Sequence, residues 1–102
     1  MSGWRATSVT KTAAYTITVL DEIILADAAG GAFTLTLPTA AAMSGHGVYV
    51  VRMNLGVNAV TIDADGAELI NGTTTAVLTL QYQSILLWSD GTQWVSIGRG
   101  LA

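Results

Sequence analysis

Strict alternation of apolar side chains with threonine most limits what this chain can fold into. Tyr15, Ile17 and Val19 alternate with Thr16 and Thr18, and the pattern returns in Phe33-Thr34-Leu35-Thr36-Leu37. A period of two sends successive side chains to opposite faces, so these segments are half-buried strands. Ile23-Ile24-Leu25-Ala26 is a short continuous apolar run, closed by Asp27-Ala28-Ala29-Gly30-Gly31. Pro38 cannot donate to a ladder and ends the Phe33 strand. Residues 48–53, 59–63, 76–80, 84–89 and 93–98 are further runs of strand length. Turn chemistry separates them: Asn54 and Gly56, Asp65-Gly66, Asn71-Gly72 and Asp90-Gly91. Thr39 to Gly45 is the only helix-compatible segment, one or two turns, with Thr39 placed to cap it and Gly45 to end it. About eight short strands at near-regular spacing predict an all-β fold, a compact antiparallel β-barrel or β-sandwich. The polar, aperiodic stretch 1–12 is expected to be an extended N-terminal arm, and 13–102 a single β domain.

Charge is scarce. Only 11 of 102 residues are Asp, Glu, Lys or Arg, while 51% are apolar; globular chains carry about 25% charge. A lone domain of this length buries only about two thirds of its surface, so the surplus apolar surface is expected to meet other protein. A spanning helix needs roughly 20 predominantly apolar residues, and here Thr, Gly, Asp or Asn interrupt every apolar run; a membrane partner is not expected. Arg5, Lys11, Arg52 and Arg99 are scattered and the net charge is −3, the opposite of a nucleic-acid footprint. With no cysteine there is no disulfide framework or thiolate metal site. The opening Met1-Ser2-Gly3-Trp4-Arg5 has neither secretory nor lipidation character, which gives the expectation of synthesis in a cytoplasm.

No constellation for catalysis is visible. His46 is the single histidine, held between Gly45 and Gly47, and it supplies one member of a triad at most. Asp63, Asp65 and Glu68 are the nearest approach to a hard-metal site, but calcium takes six to eight oxygens and the remaining ligands are missing. The glycines match no phosphate-binding loop. The chain is therefore expected to be no enzyme and to take no cofactor or metal. Trp88 and Trp94 flank Asp90-Gly91 and are expected to pack inward from one hairpin. Trp4 lies beside Arg5 in a segment with no core of its own, and both are residue types that dominate interfaces.

The succession Tyr15-Thr-Ile-Thr, Asp21-Glu-Ile-Ile-Leu-Ala-Asp27, Phe33-Thr-Leu-Thr-Leu-Pro38, Val48-Tyr-Val-Val-Arg52, Val60-Thr-Ile-Asp63, Gly66-Ala-Glu-Leu-Ile-Asn-Gly72, Ser84-Ile-Leu-Leu-Trp88 and Asp90-Gly-Thr-Gln-Trp94 resembles a β-rich module of bacteriophage virion proteins, found in tail fibres, head fibres and capsid decoration proteins. The resemblance spans Tyr15 to Gly98. It implies a homotrimer without catalysis that works by binding. The chain lacks a shaft repeat, which favours a capsid decoration (cement) protein on the capsid exterior of the virion, whose partners are itself and the major capsid protein. Trp4, Arg5, Val9 and Lys11 are the expected capsid contacts. The alternative is a fibre tip that binds a host receptor or glycan through Tyr49, Tyr82 and Trp94.

Overall fold

The computed structural model describes residues 6–100. Nine strands follow one another: β1 (Ser8–Lys11), β2 (Tyr15–Thr16), β3 (Ile23–Ala26), β4 (Phe33–Thr36), β5 (Gly47–Arg52), β6 (Val60–Asp63), β7 (Thr75–Leu78), β8 (Ser84–Ser89) and β9 (Trp94–Gly100). They form two sheets, A in the order β1-β3-β5-β8-β9 and B in the order β2-β4-β6-β7. Neither closes into a barrel. The molecule is all-β, and the alternation read from the sequence is realised in β4; of the alternating run from Tyr15 to Val19 only Tyr15–Thr16 is strand, and Val19 is exposed.

The expectation of an antiparallel fold is corrected in the first half of the chain. Up to Asp63 the chain passes alternately from sheet A to sheet B, so like strands stack in parallel: β1 on β3 on β5, and β2 on β4 on β6. These are three rungs of a flattened coil. Only then does the chain reverse, with β7 antiparallel to β6, β8 to β5 and β9 to β8. Parallel neighbours need long crossovers, and here each crossover is a strand of the other sheet. The smallest molecular dimension, 21 Å, fits two sheets about 10 Å apart plus outer side chains.

Within the stretch 1–12, expected to be an extended arm, Ser8–Lys11 is the edge strand of sheet A, in register with Ile23 to Ala26. The Glu22 carboxylate fastens its start, accepting the Thr7 backbone N–H at 2.8 Å and the Thr7 hydroxyl at 2.7 Å. Among the described residues no strand stacks on the far side of the first rung, whereas β7, β8 and β9 cover the third.

The core lies between the sheets. Sheet A contributes Ile24, Ala26, Val48, Val50, Ile85, Leu87 and Trp94, and sheet B Leu35, Val60, Ile62, Ala76 and Leu78; Ile17, Leu37, Met43 and Ile70 fill the ends. Burying each larger side chain stabilises the fold by about 1.5–3 kcal/mol relative to exposure. The expected helix is a single 3-10 turn, Ala41–Met43, where the Thr39 hydroxyl accepts the Ala42 N–H at 3.3 Å. Asn71 and Gly72, both at positive φ, form the two-residue turn that sequence chemistry demands. Ile70 and Thr73 exchange both backbone hydrogen bonds across it. The same segment covers part of the β9 edge: Trp94 donates to the Leu69 carbonyl, and Ser96 N–H donates to Asn71 Oδ1.

Candidate functional site

The two outer faces differ sharply. Pairing register aligns Gly47, Trp88 and Val95 in one row across sheet A, Ser8, Ile23, Tyr49, Leu86 and Ile97 in the next, and Thr10, Leu25, Val51 and Ser84 in a third. No member of these rows is charged. Tyr49, Trp88, Val95 and Ile97 are exposed, Ile97 by 53%. The face arises because β5 and β8 carry apolar residues at consecutive positions, Val48-Tyr49-Val50-Val51 and Ile85-Leu86-Leu87-Trp88, so whichever set enters the core the other is left outside. Five strands about 4.8 Å apart and six residues rising about 3.4 Å each give it on the order of 400 Å², in the range where surface patches are often functional.

On sheet B the outward rows are Thr34, Thr61 and Val77, then Thr16, Thr36, Asp63 and Thr75. Threonine methyls and hydroxyls with one carboxylate make a face that water solvates. Threonine is therefore concentrated on the outer face of sheet B, the rows of sheet A carrying only Thr10.

The expected contact residues separate. Trp4 and Arg5 lie outside the described residues. Val9 is half-buried against the core, and the Lys11 ammonium sits 3.9 Å from the Tyr15 ring centroid, so two of the four expected capsid contacts are occupied within the fold. Trp94, 1% exposed, is a core residue and offers its ring to nothing outside; its indole N–H has no acceptor among the described residues. Trp88 pairs with Val95 and Trp94 with Ser89, so the two tryptophans occupy opposite faces of the hairpin. Only one packs inward. Tyr49 belongs to the outer face of sheet A, and Tyr82 is exposed in the turn before β8 with φ 63°.

Residues capable of chemistry are spread out and used structurally. His46 is exposed, and its carbonyl accepts the Ser89 N–H. Glu68 Oε1 accepts the Ala40 N–H at 2.9 Å, and the Glu68 N–H donates to the Asp65 carbonyl. Among the described residues no three His, Asp or Glu side chains gather where an ion could sit, and no helix is long and apolar enough to cross a membrane. The shifted titrations mark turns and strand ends. Backbone and hydroxyl donation from Thr7 lowers the Glu22 pKa. N–H donation from Gln93 and Thr92 lowers that of Asp90. The hydrogen bond from Tyr15 to Asp21 (2.7 Å) raises the phenol.

Sequence reasoning passed over Arg52, which is 1% exposed. Alternation was the available signal, since Val48, Val50 and Arg52 share one face of β5. Its guanidinium donates to the carbonyls of Asn54, Gly56 and Asn58. The chain matches no family model, no curated protein and no solved structure.

Proposed function

We propose that this chain is a non-enzymatic structural protein that functions as a homotrimer, decorating the capsid surface of a bacteriophage virion. The observation that carries the reading is the uncharged outer face of sheet A. Left in water, its apolar rows are unfavourable by about 25 cal/mol per Å², and three copies packed around an axis remove that surface while the threonine faces of sheet B turn outward. The virion setting rests on the resemblance of Tyr15 to Gly98 to phage modules. The capsid contact falls to the N-terminal residues, Trp4 and Arg5 foremost, and to the β1 edge, where an added strand gains main-chain hydrogen bonds. Three such contacts on one trimer slow dissociation by multivalency. The fibre-tip alternative has less support, because Trp94 is buried and cannot join Tyr49 and Tyr82 in a receptor groove.

Light scattering at low micromolar concentration tests the trimer. A mass three times 10.6 kDa is expected for the wild type, with a fall toward one chain for Ile97→Asp, a substitution at an exposed position. Co-sedimentation with phage capsids, with and without residues 1–6, tests the setting. A monomeric wild type overturns the assembly, and a trimer that binds no capsid overturns decoration.

A further inference from the structure

An asparagine amide carbon is open to attack by the next backbone nitrogen when no side chain shields that nitrogen. The chain has three asparagines, Asn54, Asn58 and Asn71, followed by Leu55, Ala59 and Gly72. Asn54 is buried and its amide is held at both ends: Oδ1 accepts the Ala28 N–H at 2.9 Å, and Nδ2 donates to the Leu55 and Asn58 carbonyls. Asn58 is half-buried, with Nδ2 on the Ala28 carbonyl at 2.9 Å. Asn71 and Gly72 are both exposed. Among the described residues the Gly72 N–H donates to no acceptor, and glycine has no Cβ to block an approach.

One residue holds the Asn71 side chain back. Nδ2 donates to Ser96 Oγ, and Oδ1 accepts the Ser96 N–H at 3.0 Å. The amide is thereby turned toward β9, and Cγ meets the Gly72 nitrogen only after this pair opens. Ser96 is the latch.

We propose that Asn71 is a site of spontaneous deamidation, gated by Ser96, whose isoaspartyl product uncovers the edge of β9. Hydroxide takes the Gly72 amide proton, and the nitrogen lone pair forms a bond to Asn71 Cγ. The Cγ–Nδ2 bond breaks, and ammonia leaves with a proton from water. Water then opens the resulting five-membered imide. Cleavage at Cγ gives an aspartate; cleavage at the main-chain carbonyl gives an isoaspartate, with one extra methylene in the backbone.

The two products act differently on the fold. An aspartate still accepts the Ser96 N–H and hydroxyl. An isoaspartate lengthens a two-residue turn whose flanks, Ile70 and Thr73, exchange both backbone hydrogen bonds. That turn positions the Asn71 N–H on the Trp94 carbonyl at 3.0 Å and the Leu69 carbonyl on the Trp94 N–H at 2.9 Å. Losing it frees the outward polar groups of Trp94 and Ser96, and an unpaired edge is a template for another strand.

Wild type, Ser96→Ala and Asn71→Asp chains are held at mildly alkaline pH for weeks. Isoelectric focusing and peptide mass mapping follow the modification, and hydrogen exchange at the Ser96 amide follows the edge. In the wild type a species one charge more negative than the native −3 is expected to accumulate and to map to Asn71. Ser96→Ala, which removes one hydrogen bond, should form it roughly two- to tenfold faster. Asn71→Asp should keep the Ser96 amide protected, whereas the isoaspartyl fraction of aged wild type should lose that protection. An absence of acidic species, or their mapping to Asn54 or Asn58, overturns the site. Equal rates in wild type and Ser96→Ala overturn the latch, as does an equal acceleration at buried Asn54, which marks general loosening of the fold. An isoaspartyl fraction with Ser96 still protected overturns the uncovering of β9.

Discussion

Replacing Arg52 by methionine should remove the cation while keeping most of the apolar stem. The Asn58 carbonyl retains a bond from Asn54 Nδ2 at 3.1 Å, but the Asn54 and Gly56 carbonyls lose the guanidinium donors described above. A buried acceptor left unmet costs about 1–3 kcal/mol, two give about 2–6, and solvation of a loop near the surface holds the total to the lower part, about 2–4 kcal/mol. Relief of the buried charge acts in the opposite direction and is included in choosing that lower part. At about 4–8 °C per kcal/mol for a domain of this size, the midpoint should fall by about 10–30 °C. Arg52→Lys keeps the charge but not the planar fork that reaches three carbonyls, and should lose about half as much. Urea unfolding measures the loss, and hydrogen exchange at the Ala28 amide, bonded to Asn54 Oδ1, reports the loop separately. A methionine variant within about 1 kcal/mol of wild type, with Ala28 still protected, would refute the claim that the guanidinium holds this loop.

Gly47→Ala places a Cβ 2.9 Å from Leu86 Cδ1 and 3.1 Å from the Leu87 carbonyl oxygen. Overpacking of this kind should cost about 1–3 kcal/mol in chemical denaturation. Tyr82 has φ 63°, strained for a bulky residue; Tyr82→Gly should raise stability by about 0.5–1 kcal/mol, the relief of strain exceeding the added chain entropy, and a loss of stability would show that the ring packs favourably. Glu22 and Asp90 titrate below their ordinary values of 4.5 and 3.8, so their stabilisation is complete above those values and is lost as pH falls through the lower folded ones. Glu22→Gln should flatten the acid limb of a stability–pH curve. Tyr15 titrates above 10.0, so its contribution persists below that pH and is lost as pH rises through the folded value; Tyr15→Phe should remove the alkaline decline.

The strands from Ile23 onward were legible because each is a short apolar run bounded by turn residues, and β8 falls at the predicted positions 84–89. Their pairing was not legible. Asn71-Gly72 and Asp90-Gly91 announce hairpins correctly, but a parallel partner such as Ser8 for Ile23 or Phe33 for Val60 leaves no local trace. The same blindness assigned Ser8–Lys11 to an arm: one apolar residue in four shows no period, and the strand exists because β3 offers it a ladder. The outer face of sheet A was implied only in bulk, as surplus apolar composition. Consecutive apolar residues cannot say which set faces the core, so Trp88 and Trp94 were placed together. Arg52 counts in the sequence only as one of four scattered basic residues, although its parity with Val48 and Val50 marks it as internal.

The coil topology also sets the order in which the molecule assembles. Rung partners lie between 15 and 27 positions apart, whereas Ser89 and Trp94 pair across a four-residue turn. Closing long loops before contacts reward them is slow, so the β8–β9 hairpin is the inexpensive nucleus, and it is also the last part of these strands to leave a ribosome. Early strands, β3 with its continuous apolar run among them, are then open to pairing with other nascent chains until their partners emerge. A circular permutant that places β8 and β9 first should fold faster and with less aggregation than the natural order.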